Sequence, residues 1–242
     1  MAWNSALWMR MRRSLDGFAV GDRVFGGALS RAVADFVVID PAGETAANEA
    51  HHTPDGVDDR TAATLTIAGR TASAALATIA PGPNDTVLIG GAAAGVGLFA
   101  VQLARIAGAR VIGTGSVTSA DHLRDLGAEP VAYGDGLADR VRALAPGGVT
   151  AAIDLHRVET VHVARELGVP DSRICTIASQ VEGVPAANGA NAAPGALEEI
   201  ARLVAAGRLR VPVAASFPVE QIRRAAELQA GRHVQGKVVI DL

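Results

Sequence analysis

Apolar and polar positions follow two regimes along the chain. From residue 86 onward, short β-branched or aliphatic runs alternate with longer segments in which apolar residues recur at three- and four-residue intervals. The runs predict strands over 86–89, 110–114, 131–133, 151–155 and 173–178, and the periodic segments predict helices over 98–108, 119–126, 137–144 and 159–167. Strict strand and helix alternation predicts a parallel, doubly wound α/β sheet. Beyond it lie a helix over 196–206, a strand around Val211, a helix over 219–229 and a terminal strand over 236–242. The region before residue 86 reads differently. Strands are expected over 23–25 and 34–39 with a turn at Gly26 and Gly27, a loop over 40–59, and one or two alanine-rich helices over 62–80. At the start, Trp3, Leu7, Trp8 and Met11 fall on one possible helical face beside Arg10, Arg12 and Arg13.

The segment Val87 to Gly97 joins the first parallel strand to a helix whose face carries Val96, Phe99, Ala100 and Leu103, through a turn of glycine and alanine. Such a turn aims free backbone N–H groups and the positive end of the helix dipole at an anion above the strand. A small-residue turn is also simply good packing between strand and helix, and the motif alone leaves both readings open. Its context adds weight to the first. A second strand follows at once and ends where dinucleotide folds place the side chain that reads the adenosine ribose, about 20 residues past the first glycines. No carboxylate stands there. Thr114, Ser116, Thr118 and Ser119 make the position small and hydroxyl-rich, which favours NADPH over NADH, with Arg124 the nearest cation downstream. The alternative reading of these hydroxyls is a helix N-cap at Ser119.

Composition narrows the classes further. A chain of 242 residues buries a large core in one or two domains. A formal net charge of −3, with scattered basic residues, offers no footprint for nucleic acid. Lys237 is the only lysine, and Cys175, the only cysteine, lies in an apolar run where a buried inert thiol is expected, so disulfides and cysteine-rich zinc sites are excluded. The N-terminus lacks the apolar core of a signal peptide and no segment is long enough to span a bilayer, so a cytoplasmic setting without membrane association is expected.

Six histidines invite acid/base or metal chemistry. His51 and His52 are adjacent, unlike an i, i+4 metal pair, and are expected in a solvated loop. His122, His162 and His233 read as surface residues, although His233, next to Arg232, also suits a cleft. His156 is the best acid/base candidate, with Asp154 beside it, because it follows a parallel strand at its carboxyl end, where open α/β sheets place ligands. A structural role for each remains the competing reading. Tyr133, the only tyrosine, ends a strand and reads as structural.

Several blocks, in order, resemble the medium-chain dehydrogenase/reductase superfamily in its zinc-free quinone oxidoreductase and enoyl reductase branch. They are Gly17 to Gly26, Ala34 to Val38, Thr66 to Ala72, Gly91 to Gly97, Asp125 to Ala128, Gly148 to Asp154 and Gly231 to Ile240. The resemblance implies a Rossmann nucleotide-binding domain over 81–212, a truncated GroES-like β-rich catalytic domain with linking helices over 1–80, and a C-terminal return to it over 213–242. It implies NADPH as cofactor, held by Thr71, Ala94, Gly95, Val96, Gly97, Ser116, Ile177 and Ala178, with no metal. The implied reaction is hydride transfer to a quinone or an activated enone or enoyl double bond of a small molecule, by a homodimer paired through sheet edges.

Three departures from the family pattern bear on that expectation. Only 20 residues precede Gly21, fewer than family members carry. Ala94 stands where the family has glycine, at the closest approach to the pyrophosphate, with displacement of the cofactor by its methyl group and retention of the cofactor both open. His156 and Arg157 replace a small apolar residue and a glycine, with contact to phosphate, capture of an acidic substrate and closure of the crevice all open. No tyrosine matches the proton donor of some enoyl reductases. The alternative function is a non-redox cyclase or lyase, or a catalytically silent small-molecule-binding protein, on the same scaffold.

Overall fold

The computed structural model describes residues 6–10, 17–28, 33–34, 36–38, 48–231 and 234–242. The chain forms two compact units, Met1–Arg70 with Pro194–Leu242, and Thr71–Ala193.

The first unit opens with an antiparallel sheet of β1 (Ala6–Arg10), β2 (Arg23–Ala28) and β3 (Asn48–His52), with β2 central. Four expectations are corrected here. Residues 6–10 form a strand, not part of a helix, because β2 offers them a ladder with Trp8 opposite Phe25; a short apolar run carries no period of its own strong enough to resist that. Gly26 and Gly27 lie inside β2 instead of turning the chain. An ideal Cβ on Gly26 would sit 1.9 Å from the Glu49 carbonyl oxygen, so the missing side chain lets β3 approach. The expected loop over 40–59 contains β3, a polar strand whose place is decided by pairing with β2. Both edges of β2 are occupied, and of the strand expected at 34–39 the described residues, Ala34 and Phe36 to Val38, form no strand.

Helix α1 (Asp59–Ala62) follows, capped by Asp58, whose carboxylate accepts the Thr61 N–H at 2.9 Å. Helix α2 (Thr66–Ile79) carries the boundary between the units, at Arg70 and Thr71.

The second unit is a five-stranded parallel sheet of β4 (Thr86–Gly90), β5 (Arg110–Gly115), β6 (Glu129–Ala132), β7 (Ala151–Asp154) and β8 (Ile174–Thr176), in the spatial order β6, β5, β4, β7, β8. Helices α3 (Gly97–Ile106), α4 (Ala120–Asp125), α5 (Leu137–Leu144) and α6 (Glu159–Glu166) form the crossovers, making the doubly wound Rossmann-type fold. Alternate strand residues Leu88, Ile112, Val131, Ala152 and Ile174 bury one sheet face with Val141 of α5 and Val161 and Ala164 of α6. On the opposite face Leu123 of α4 approaches bare Gly113 and Gly115, where an added Cβ would meet its methyl groups at 3.4 and 2.9 Å. β6 begins two residues earlier than the β-branched run at 131–133 suggests. Pro130 fits because β6 is an edge strand and pairs only with β5.

The chain then completes the first unit with α7 (Ala196–Ala205), β9 (Val213–Pro218), α8 (Ile222–Ala230) and β10 (Lys237–Asp241). β9 and β10 form a parallel pair, and β9 starts two residues past the expected Val211. Ile200 of α7 packs over Gly69 of α2, where an added Cβ would meet its Cδ1 at 3.0 Å. Arg60 donates through two nitrogens to Asp241, each at 2.9 Å. Among the described residues no helix is long and apolar enough to cross a membrane.

Candidate functional site

Strand order reverses at β4. The chain moves outward through β5 to β6, then returns to β7 on the other side, so the carboxyl ends of β4 and β7 flank a topological switch point. Every side chain expected at the site except Thr71 lies at or just beyond such a strand end.

After β4, Gly91 enters the turn with φ +71°, where glycine alone is unstrained, and its N–H donates to Thr114 Oγ1 at 3.0 Å. The turn closes as the Ala94 N–H donates to the Gly91 carbonyl at 3.1 Å, and α3 begins as the Leu98 N–H donates to the Ala94 carbonyl at 2.9 Å. Gly97 is packed so tightly that an ideal Cβ would lie 2.4 Å from the carbonyl oxygens of both Gly91 and Ala92. Among the described residues, the N–H groups of Gly95, Val96 and Gly97 donate to no protein acceptor. These amides and the α3 dipole, equivalent to about half a positive charge at the helix start, form a cradle for an anion. Ala94 has an ordinary negative φ, and its exposed methyl group stands on this turn.

At the end of β5, the Ser116 hydroxyl lies 2.9 Å from Thr118 Oγ1 and 2.8 Å from Ser119 Oγ. No side-chain cap links Ser119 to α4; its hydroxyl faces that of Ser116 instead. Arg124 pairs with Asp121 at 2.6 Å. Arg140 donates to the carbonyls of Ala132 and Gly134, at 2.9 and 3.0 Å, and so holds the turn after β6. On that turn Tyr133 is 59% exposed, and its N–H donates to the Gly115 carbonyl at 3.4 Å, setting it beside Ser116. An exposed aromatic at this strand end is a feature that periodicity alone does not reveal.

Asp154 ends β7 fully buried. Its Oδ1 accepts the N–H groups of His156 at 3.2 Å and Arg157 at 2.9 Å, while Oδ2 accepts the Thr176 hydroxyl at 2.9 Å. Thr176 Oγ1 in turn accepts the N–H groups of Ala178 at 3.2 Å and Ser179 at 3.1 Å. The Ile177 N–H donates to the Asp154 carbonyl at 3.0 Å. Ile177 and Ala178 thus stand just past β8 on a loop tied to Asp154. The His156 backbone crosses Gly91 so closely that an added Cβ on the glycine would meet His156 Cβ at 2.9 Å, while the His156 and Arg157 side chains are exposed. Thr71 is half-buried in α2.

The other histidines separate. His51 lies on β3, 3.0 Å from Glu198 and 3.3 Å from Glu49, and is mostly buried, so the solvated loop is corrected to a strand in which pairing sequesters the ring. His52, on the other face, stacks on Phe18 at 4.5 Å. Half-buried His122 has its pKa lowered by burial, His162 is exposed, and His233 lies outside the described residues. Cys175 is fully buried, and burial pushes its thiol pKa up.

The model of the zinc-binding dehydrogenase family matches residues 114–240. The chain is 40% identical over 114 residues to a mycocerosic acid synthase-like polyketide synthase of Mycobacterium tuberculosis, an alignment covering 46% of this chain and 5% of that protein. This chain therefore spans only a small part of the polyketide synthases it matches. Its fold resembles the CurK enoyl reductase, with a TM-score of 0.82 at 23% identity over 100% of this chain and 80% of that one. Mycobacterial Rv1454c, solved with NADPH, gives a TM-score of 0.78 at 24% identity over 98% of this chain and 81% of that one. The zinc of the family description finds no ligand set among the described residues, where no three His, Cys, Asp or Glu side chains converge as a metal site. The nicotinamide dinucleotide of such folds fits better, because the glycine-tight turn after β4 presents unpaired amides at the switch point. With the matched model covering 127 of 242 residues (114 to 240 inclusive), the chain belongs to the zinc-binding dehydrogenase family of the medium-chain dehydrogenase/reductase superfamily.

Proposed function

We propose that the protein is an NADPH-dependent oxidoreductase that reduces an activated double bond of the enone or enoyl type, or a quinone, in a small molecule. The observation that carries this reading is the β4–α3 turn at the switch point, with its three unpaired amides. The names of the similar proteins, enoyl reductase and polyketide synthase among them, favour an enoyl acceptor.

When bound, the cofactor supplies a hydride to the acceptor carbon. The chain's own contribution is positioning and electrostatics. Gly95, Val96 and Gly97 donate to the diphosphate through their amides, and the absence of side chains at Gly91 and Gly97 keeps the turn compact. Ser116 and its hydroxyl partners accommodate a 2′-phosphate, since no carboxylate at the end of β5 repels it. Thr71, Ile177 and Ala178 line the nicotinamide end of the same site. The reading also includes pairing of two copies through an edge of the parallel sheet, at β6, which would cover otherwise open backbone groups, since the outer edge of β8 already exchanges bonds with Pro185 and Ala187 at Thr176. Its setting is the cytoplasm.

NADPH fluorescence titration tests this reading. Saturation at micromolar cofactor, with weaker binding of NADH, is the expected result. No enhancement at millimolar NADPH would overturn the redox assignment and return the scaffold to a non-redox or purely binding role.

A further inference from the structure

The carboxylate of Asp154 and the hydroxyl of Thr176 satisfy each other and four backbone amides. Thr176 has one proton and two lone pairs. The proton goes to Asp154 Oδ2, and the two lone pairs receive the Ala178 and Ser179 amides. Asp154 uses its other oxygen on the amides of His156 and Arg157. Both residues are fully buried, so none of these bonds is exchanged easily for water. The turns after β7 and β8 therefore share one polar centre, which adds to the ladder of the strands below them and to the single backbone bond from the Ile177 N–H to the Asp154 carbonyl.

We infer that Asp154 is a positioning residue that makes the turns at 155–157 and 177–179 a single cooperative element at the carboxyl edge of the sheet. One turn carries His156 across Gly91 at the anion cradle, and the other carries Ile177 and Ala178. Rigidity in one is transmitted to the other through a buried pair with no spare donor or acceptor on the threonine. Asp154 thus acts through the loops it holds and does not itself exchange a proton with substrate. The consequence for the cofactor rests on the proposed dinucleotide site, whereas the coupling of the turns does not.

Hydrogen exchange of the unmodified protein tests the coupling first. The amides of His156, Arg157, Ala178 and Ser179 are expected to open with one common free energy, and to gain protection together when NADPH is added. Distinct opening free energies for the two turns would overturn the inference without any variant. Thr176→Val removes the shared proton and both acceptor lone pairs while keeping the shape of the side chain. It is expected to deprotect 156 and 157 as well as 178 and 179, and to weaken NADPH binding by about tenfold. Thr176→Ser keeps the hydroxyl and is expected to restore both readouts to within about twofold of the unmodified protein. Loss of protection at 178 and 179 alone would overturn the coupling. Failure of the unmodified protein to bind NADPH would instead remove the proposed function, with the exchange data still deciding the coupling.

Discussion

Nδ1 of His51 on β3 lies 3.0 Å from Oε1 of Glu198 in the first turn of α7, while its Nε2 lies 3.3 Å from Oε2 of buried Glu49, which also pairs with Arg70. Burial by itself would lower the imidazole pKa, but the hydrogen bond and charge of Glu49 and the charge of Glu198 outweigh it and hold the value above 6.5. An imidazolium serves both carboxylates, whereas a neutral ring donates to one.

Because the folded pKa is the higher one, this stabilisation is present in full below pH 6.5 and is lost as pH rises through the folded value. His122 acts in the opposite sense. Burial lowers its pKa, so its effect is a loss of stability as pH falls from 6.5 through the folded value. Urea unfolding of the unmodified protein and His51→Gln, at about pH 5.5 and about pH 8, separates the two contributions. The stability advantage of histidine is expected to shrink by on the order of 1 kcal/mol at the higher pH. An advantage that is constant or grows with pH would count against the charged bridge.

Gly97→Ala is expected to break the anion cradle. The new methyl group would lie 2.4 Å from two carbonyl oxygens that belong to the same turn, so the backbone itself must move. Overpacking of this kind costs about 1–3 kcal/mol. A lower denaturant midpoint with loss of NADPH enhancement is the expected pair of results, and retention of both would show that the turn yields cheaply.

Ala94→Gly tests the opposite effect. The alanine is unstrained, so its replacement is expected to lower stability by roughly 0.5–1 kcal/mol through backbone entropy. If the methyl group obstructs the diphosphate, NADPH affinity rises even as stability falls. Calorimetry and fluorescence titration on the same variant distinguish these effects, and an unchanged or weaker complex removes the obstruction argument.

Arg173 and Ala80 offer a stability test away from the crevice. Arg173 donates to the Ile79 carbonyl and, at 2.6 Å, to Asp85 Oδ1, tying the end of α2 to the edge of the sheet where β4 begins. Ala80, with φ +41°, occupies the left-handed region that glycine tolerates better. Ala80→Gly is expected to stabilise the protein by about 1 kcal/mol, and Arg173→Met to destabilise it by about 1–3 kcal/mol because Asp85 loses its half-buried partner. Thermal unfolding of the two variants checks both signs.

The parallel sheet was legible because its signal is local and repeated. Apolar runs such as Thr86–Gly90 and Ala151–Asp154 are separated by helical periodicity, and α5 falls on the same eight residues that the pattern suggests. The turn between β4 and α3 was legible for the same reason, since a strand, a small-residue turn and a helix are contiguous in sequence. Less visible was the pairing of Asp154, read in sequence only as an acid/base candidate, with Thr176, although each is the polar last residue of an otherwise apolar buried strand. That position is where a polar group survives burial only by capping the adjoining turns.

The sequence by itself determined where chain segments are apolar, how often the apolar positions recur, and where the backbone must turn without side chains. Only tertiary structure decided whether the short stretches at 6–10, 36–38 and 48–52 became strands, because a strand is stabilised by the neighbour that completes its hydrogen bonds. β2 had two edges to give, and β1 and β3 occupy them. The same physics brought His51 to Glu198 and Asp154 to Thr176, polar pairs distant in sequence that no periodicity can encode and that burial makes necessary.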